Sequence, residues 1–179
     1  MRLLIIFFLL TFCANCEQNK QSQNTAKLDE MAGKKITFPT DNTLLNQSGF
    51  LKVKKPARTN KLALVTFIDG RCTSCIHQAS MLEQFRILIT QSVNKDLDLI
   101  VFVLVNKEED FKNDYFSETE LQRVYLVKNY HFLEMNDIPF EQKFHTFLID
   151  KENRIMLIGH PNMNKKLEKL YLKTVKQYG

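Results

Sequence analysis

The sequence lacks an N-terminal apolar run long enough to cross a membrane as a helix. Residues 3–12 (LLIIFFLLTF) are apolar, follow a single positive charge at Arg2, and give way to small and polar residues. A membrane-spanning helix needs roughly twenty apolar residues, about twice this length. The pattern instead predicts a signal peptide over residues 1–16, which takes no part in the fold.

Cysteine is scarce, with four residues in a chain of 179. Cys13 and Cys16 lie at the end of the predicted signal peptide, so only Cys72 and Cys75 remain for the folded domain. A framework of two or three disulfides is therefore excluded. Outside the predicted signal peptide the sequence has neither a second CxxC motif nor paired histidines, which excludes a structural zinc site with its four ligands in the folded domain.

A nucleic-acid-binding pattern is missing as well. The net charge is only +5, and the basic residues are spread along the chain except near its C-terminal end. Nucleic-acid binding favours basic residues clustered on one element together with aromatic residues. The modest positive charge therefore indicates solubility and some attraction to anionic lipid headgroups, and we expect no nucleic-acid partner. No serine or carboxylate hydrolase motif is evident.

The end of the signal peptide resembles that of bacterial lipoproteins, in which a cysteine at the cleavage point is lipidated and becomes the first mature residue. Cys16 fits this role because the small Ala14 lies two positions before it, whereas Cys13 directly follows the bulky Phe12. We therefore expect an exported protein, anchored to the membrane of the cell envelope through a lipid on Cys16. A plain secretory signal is the alternative.

Two further segments follow the signal peptide. Residues 17–32 are polar and almost free of large apolar side chains, which predicts a flexible tether. Residues 33–179 have a length that suits one domain with a single core. We see no internal repeat and no low-complexity tract.

Two apolar runs flank the CxxC motif. Residues 61–68 (KLALVTFI) have no helical gaps and predict a buried strand. From Thr73 onward the apolar residues recur every three or four positions, which predicts an amphipathic helix. Residues 97–105 (LDLIVFVLV) predict a central strand buried on both faces. A strand, a helix and a strand in this order imply a parallel pair.

The second half of the domain is predicted to contain helices, a hairpin and a final helix. Residues 107–124 are predicted to hold one or two helices, with a short strand near Tyr125. Residues 145–159 (HTFLIDKENRIMLIG) predict two strands joined by a polar turn. Residues 162–178 carry apolar and lysine side chains on different faces, which predicts an amphipathic helix that covers a sheet.

This order of elements resembles the thioredoxin fold, and specifically the exported, membrane-tethered thioredoxin-like proteins related to the peroxiredoxin (alkyl hydroperoxide reductase) superfamily. The residues that carry the resemblance are GRCTSC at the end of a strand and TFLIDKENRI downstream. It covers about residues 35–179. The resemblance implies an α/β fold with a central mixed β-sheet flanked by helices and with the CxxC motif at the N-terminus of the first core helix.

The resemblance also implies thiol-disulfide exchange, with Cys72 as the nucleophile and Cys75 as the resolving thiol. A helix N-terminus stabilises a thiolate, and one helical turn brings the two sulfurs within disulfide range. Arg71 favours the thiolate while Asp69 opposes it. We expect no cofactor and partners that are envelope proteins carrying thiols or disulfides; the redox direction stays open.

The chain departs from the thioredoxin pattern at three positions. Arg71 stands where many thioredoxins have tryptophan, Thr66 where they have a buried aspartate, and His145 where they have a cis-proline. A trans bond is expected before His145, since a non-proline cis bond costs about 2.5–4 kcal/mol. The resemblance implies that His145 lies near Cys72, where it would hold a proton, pair with the thiolate, bind a metal or only pack.

Three alternatives remain open. Cys72, Cys75 and His145 would suit Cu(I), as in exported copper chaperones of the thioredoxin fold. A thioredoxin-fold binding module with a non-catalytic disulfide is the second. A peroxidase is the third and is disfavoured, because Val65 and Asp69 replace the proline and threonine that peroxiredoxins carry seven and three residues before the reactive cysteine. The remaining histidines, His77, His131 and His160, are expected on an exposed helix face or in loops.

Overall fold

The computed structural model of the protein describes residues 23–179, which form one mixed β-sheet covered by helices on both faces. The predicted signal peptide, including Cys16, lies outside the described residues. The strands are β1 (Asn42–Asn46), β2 (Gly49–Val53), β3 (Ala63–Asp69), β4 (Asp98–Leu104), β5 (Arg123–Val127), β6 (Thr146–Ile149) and β7 (Ile155–Ile158). The helices are α1 (residues 23–31), α2 (Thr73–Val93), α3 (Glu108–Asp114), α4 (His131–Glu134) and α5 (Lys165–Tyr178).

The seven strands lie in the order β2-β1-β5-β4-β3-β6-β7. The β3/β4 and β4/β5 pairs are parallel, whereas all the other pairs are antiparallel. This confirms the predicted mixed sheet and the parallel pair on either side of α2. The carboxyl end of β3 leads directly into the turn that carries the CxxC motif, and α2 then returns the chain so that β4 runs parallel to β3.

The central strand β4 is buried on both faces, as its continuous apolar run predicts. Successive side chains of a strand point to opposite faces. Val101 and Val103 therefore belong to the core under α2 and α5, while Ile100 and Phe102 belong to the core under α1 and α4. The sheet thus separates two apolar layers, and the CxxC helix packs on one of them.

The segment expected as a flexible tether is in part an ordered helix. Residues 23–31 form α1, and Met31 at its end is only 2% exposed. Lys27 Nζ lies 2.5 Å from Glu141 Oε1, and Lys143 Nζ donates to Asn24 Oδ1. The expectation of a flexible chain therefore does not hold for this part, and the folded domain begins before residue 33. Residues 17–22 lie outside the described chain.

Between residues 23 and 179, no helix is both long enough and apolar enough to span a bilayer.

The C-terminal helix begins at Lys165, three residues later than predicted, because a 3₁₀ turn at Pro161–Met163 precedes it. Asn164 caps the helix by accepting the Leu167 N–H at 2.8 Å.

Acid should destabilise the domain partly through Asp98, the first residue of β4. This carboxylate is 4% exposed and accepts four hydrogen bonds of 2.8–2.9 Å from Thr59 and Asn60. Burial opposes ionisation, but the hydrogen bonds outweigh it, so the pKa of Asp98 lies below its usual value. A depressed folded-state pKa adds stability above the unfolded-state pKa, and this stability is lost as the pH falls through the folded-state value.

We therefore expect Asp98→Asn to lower the free energy of unfolding at neutral pH by about 1–3 kcal/mol, since it leaves buried donors without a charged acceptor. Wild type should lose more stability than the variant between about pH 7 and pH 3. Urea denaturation of both proteins at the two pH values measures this difference. Equal losses in the two proteins would show that Asp98 does not contribute to acid sensitivity.

Candidate functional site

A glycine allows β3 to turn sharply into the CxxC motif. The Gly70 N–H donates to Leu104 O at 2.9 Å, which ties the turn to the end of β4. A Cβ atom at Gly70 would lie 2.7 Å from Val103 Cγ1 and 2.9 Å from Leu104 O. The close approach of these two chain segments therefore requires glycine, and it fixes where Cys72 emerges from the sheet.

Cys72 is the N-cap residue of α2. Its backbone is extended, with φ −103° and ψ 101°, and its Sγ accepts the Cys75 N–H at 3.3 Å. The Ser74 hydroxyl lies 3.2 Å from the same sulfur. Backbone and hydroxyl donors at a helix N-terminus stabilise negative charge. The predicted position of the first cysteine is thereby confirmed.

Cys72 and Cys75 form a disulfide, with their Cα atoms 5.2 Å apart. Cys72 is half-buried, whereas Cys75 is 8% exposed and packs in the core under α2. A partner thiol therefore reaches the sulfur of Cys72 more readily than that of Cys75. This difference in exposure suits Cys72 as the attacking thiol and Cys75 as the shielded one.

The two charged residues before the motif pair with each other. Arg71 Nε and Nη2 donate to the two carboxylate oxygens of Asp69 at 2.8 and 2.6 Å, and the Arg71 N–H donates at 2.9 Å. Hydrogen bonds from Arg71 hold the pKa of Asp69 below its usual value and raise that of Arg71. The opposing influences expected from the sequence thus largely cancel near Cys72.

Gln142, a residue that no motif in the sequence marks, donates a side-chain hydrogen bond to Cys75. Gln142 begins the 3₁₀ turn Gln142–Phe144 just before β6. Its Nε2 donates to Cys75 Sγ at 3.4 Å and to Gln78 Oε1 at 3.2 Å. The amide therefore joins the sulfur to the second turn of α2.

His145 follows this turn and is 7% exposed. Its Nε2 bonds the carbonyl of Pro139 at 3.0 Å, and its ring packs edge-on against Phe67, with the centroids 5.7 Å apart. Burial lowers the pKa of His145, opposed by hydrogen bonds with the backbone of Pro139 and Phe67. Residues 23–179 contain no cis peptide bond, so the bond before His145 is trans, as expected.

The structure does not bring His145 and the two cysteines together as a ligand set. In the described part of the chain, no cluster of three or more His, Cys, Asp or Glu residues has the geometry of a metal site. The hydrogen bond on the Cys75 sulfur comes from Gln142, whereas the His145 ring bonds a backbone carbonyl.

A cavity of about 230 Å³ lies between α2, the 142–146 segment and the 3₁₀ turn Pro161–Met163, and Gln142, which bonds Cys75, is part of its lining. His160 also lines it; the residue lies in a loop, as expected, and is buried there. Its Nδ1 accepts the Asn162 N–H at 3.3 Å, so Nε2 carries the proton that it donates to Gln78 O at 3.0 Å. Burial lowers the pKa of His160 as well, opposed by its hydrogen bond with the backbone of Gln78.

Thr66 occupies the wall of the same cavity. It stands where the resemblance places a buried aspartate, and its hydroxyl lies 2.9 Å from the hydroxyl of Thr146 on β6. A hydroxyl pair holds a hydrogen bond but no titrating proton near neutral pH. The site therefore lacks a buried acid at this position.

Gly70→Ala should disturb both the fold and the site. The added methyl group would meet Val103 and the Leu104 carbonyl closer than van der Waals contact, and overpacking of this kind costs about 1–3 kcal/mol. The turn that carries Cys72 must shift to relieve the contact. We expect a lower midpoint of urea unfolding and slower disulfide reduction by dithiothreitol. Gly33→Ala is the matched control, because a Cβ added at Gly33 has no atom within 4 Å and the residue lies far from the motif in sequence. The φ of 75° at Gly33 adds local strain. The disulfide of this variant should nevertheless be reduced at the wild-type rate.

Comparisons with known proteins agree on the fold. No family model and no curated protein sequence matches the chain. Among solved structures, the thioredoxin domain of a thiol-disulfide oxidoreductase from Bacteroides vulgatus superimposes with a TM-score of 0.55 and 20% identity, covering 78% of this chain and 96% of that one. A thioredoxin-like protein from Porphyromonas gingivalis has a TM-score of 0.56 and 14% identity, with coverage of 82% and 95%.

Yeast Sco1 with copper bound is a third similar structure, with a TM-score of 0.57 and 13% identity over 81% of this chain and 96% of that one. At these identities the comparisons establish architecture. Together with the sheet order and the position of the disulfide, they confirm the thioredoxin-like fold that the sequence resemblance implied.

Proposed function

We propose that this thioredoxin-fold protein is a thiol-disulfide oxidoreductase that exchanges disulfides with proteins of the cell envelope. The observation that carries the proposal is the placement of the Cys72–Cys75 disulfide at the start of α2. Cys72 is accessible and receives two donors, the Cys75 N–H and the Ser74 hydroxyl, whereas Cys75 is shielded. A nucleophilic thiol requires this combination of access and charge stabilisation.

The exchange proceeds through a mixed disulfide. In the reduced protein, the Cys72 thiolate attacks a partner's disulfide, a bond forms between Cys72 Sγ and one partner sulfur, and the other partner sulfur leaves as a thiolate. The Cys75 thiol loses its proton and attacks Cys72 Sγ, which releases the reduced partner and leaves the disulfide seen in the structure. The reverse sequence oxidises a partner dithiol by the same bonds.

The neighbouring residues have supporting roles in this proposal. The Arg71–Asp69 pair adds little net charge beside Cys72, so the helix N-terminus and Ser74 set its thiolate stability. His145 holds the 142–146 segment through its bond to Pro139, and its backbone carbonyl accepts the Phe67 N–H at 3.1 Å. We assign His145 a positioning role.

The proposal includes export and anchoring through a lipid on Cys16, which the sequence pattern supports. The partners are then envelope proteins that carry thiols or disulfides, with the membrane as a second partner through the lipid. Metabolic labelling with a fatty acid tests this part, and Cys16→Ser should abolish the label while Cys13→Ser keeps it. Label retained in Cys16→Ser would overturn the anchor without affecting the exchange proposal.

Alkylation of the reduced full-length protein tests the exchange proposal. The rate of modification of Cys72 by iodoacetamide should rise with pH along a curve whose midpoint lies at or below about pH 7, well under the free value near 8.5. The disulfide should also equilibrate with glutathione within minutes. A midpoint near 8.5 or above, with no equilibration, would overturn the proposal and favour a binding module with a structural disulfide.

A Cu(I) carrier is the second candidate, favoured by the likeness to copper-bound yeast Sco1 and by the paired thiols. Two thiolates and an imidazole suit Cu(I). Titration of the reduced protein with Cu(I) in competition with a chelator separates the two functions. Tight binding that weakens by tenfold or more in His145→Ala supports a carrier; weak binding unaffected by that substitution supports the oxidoreductase.

A further inference from the structure

Gln142 reaches the shielded sulfur from the opposite side of the cleft. Among the hydrogen bonds of residues 23–179, its 3.4 Å bond is the one that a side chain donates to Cys75 Sγ. The same Nε2 also donates to Gln78 Oε1 at 3.2 Å, so the amide nitrogen lies between the sulfur and that oxygen. The sulfur therefore faces an N–H donor.

We infer that Gln142 is a catalytic residue of the exchange reaction, which stabilises the negative charge that Cys75 Sγ carries when the disulfide opens. The inference rests on the proposed function and adds a residue to it. Hydrogen bonds to charged acceptors are roughly twice as strong as those to neutral ones, so this donor favours the open thiolate over the closed disulfide.

The charge arises in one defined step. A thiolate of a reductant attacks Cys72 Sγ, a sulfur–sulfur bond forms between the two, and the bond from Cys72 to Cys75 breaks with its electron pair on Cys75 Sγ. The reductant is oxidised to the mixed disulfide and Cys75 is reduced to a thiolate, which then takes a proton from solvent. When Cys75 later attacks, the same donor faces the same atom.

The fold holds the turn that carries Gln142 in place before the reaction begins. The residues on either side of it contact α1, since Glu141 pairs with Lys27 at 2.5 Å and Lys143 donates to Asn24. Phe144 is 1% exposed and anchors the turn in the core. The backbone of the turn therefore keeps Gln142 within reach of the sulfur, although its side chain is exposed.

Cys75 is also largely removed from water, at 8% exposure. Water therefore solvates its thiolate poorly, and a protein donor matters more there than at Cys72, which has the Ser74 hydroxyl and the Cys75 N–H as donors. Without Gln142, the Cys75 thiolate would be poorly hydrated and would lack the side-chain hydrogen bond that compensates for this.

The test is the rate at which dithiothreitol reduces the disulfide in the full-length protein. We expect Gln142→Leu to slow reduction about tenfold, because the leaving thiolate loses its hydrogen-bond donor. Gln142→Glu has almost the same size but brings a carboxylate, so it should slow reduction further. Gln177→Leu, a glutamine replacement on the exposed face of α5, is the control and should match wild type.

A purely structural role gives a different result. It predicts lower melting temperatures in the two Gln142 variants with reduction rates that stay equal or rise as the site loosens. Wild-type rates in folded Gln142→Leu would overturn this inference and leave the proposed function intact. Absence of exchange in wild type itself would overturn the proposed function first.

Discussion

Replacement of Cys72 by serine is expected to lower the rate of exchange with a disulfide-bonded peptide by about a thousandfold or more. A serine oxygen does not form the mixed disulfide, so the first bond of the reaction is lost. Cys72 is also the sulfur that receives the helix N-terminal donors and is open to a partner. Stopped-flow or quenched-flow measurement with a fluorescent peptide quantifies the loss.

Replacement of Cys75 by serine should have a different outcome in the same assay. Cys72 still attacks the peptide, but nothing within the protein resolves the mixed disulfide. The peptide should therefore accumulate on Cys72 in about equimolar amount, as intact-protein mass spectrometry would show. The adduct should disappear on addition of dithiothreitol.

Ser80→Ala is the matched control for both variants, since it makes a change of similar size on the same helix. Ser80 Oγ bonds Ile76 O at 3.4 Å, away from both sulfurs. Its exchange rate should match wild type. Adduct formation in Cys72→Ser but not in Cys75→Ser would reverse the roles of the two cysteines.

Phe102→Ala is expected to lower the free energy of unfolding by about 3–5 kcal/mol, the range typical of deleting a fully buried aromatic side chain. Phe102 in β4 is fully buried and stacks on Phe132 of α4 with the ring centroids 4.5 Å apart. It also contacts the rings of Phe38 and Tyr125, at 6.1 and 5.8 Å. Its removal leaves a cavity that rigid neighbours on the sheet cannot close.

Urea denaturation measures this loss, and Phe140→Ala provides the control. Phe140 is the same residue type but is 62% exposed, with Tyr130 as its ring neighbour. Its removal should change the free energy of unfolding by less than about 1 kcal/mol. Similar losses in the two variants would mean that the aromatic cluster under α4 does not dominate the core.

The sequence predicted the central elements because their signals are local and strong. The runs at residues 61–68 and 97–105 correspond to β3 and β4, and the residues on either side of Cys72 change from strand to helix periodicity. Cys72 could be placed at the helix start for the same reason. The cap geometry at Cys72 follows from where the period changes.

The N-terminal hairpin was missed because its signals are weak. The two-residue loop between β1 and β2 is Gln47-Ser48, which lacks the asparagine-glycine pair typical of tight hairpins. The turn is closed instead by Asn46 Oδ1, which accepts the Ser48 N–H at 2.9 Å. When a side-chain hydrogen bond closes the turn in place of an asparagine-glycine pair, the pattern of apolar residues does not reveal the hairpin.

The part of the site around Gln142 could not be predicted from the sequence. Gln142 and Cys75 are 67 positions apart, and the 3₁₀ turn that brings them together follows no apolar period. The resemblance to thioredoxins puts His145 at a proline position, which indicates that this segment lies near the cysteines. It did not reveal that the ring turns toward Pro139. Contacts between a loop and a helix depend on tertiary packing, which a single sequence does not encode locally.

The docking of α1 has a consequence for how far the disulfide can lie from a lipid bilayer. Asn24, near the start of the described chain, contacts Lys143, the residue next to Gln142. If Cys16 carries a lipid, only seven residue steps separate it from residue 23 at the start of α1, and they span at most about 25 Å when fully extended. The cleft would then be confined to a layer close to the headgroups, and partners whose thiols lie near the membrane surface would meet it most often.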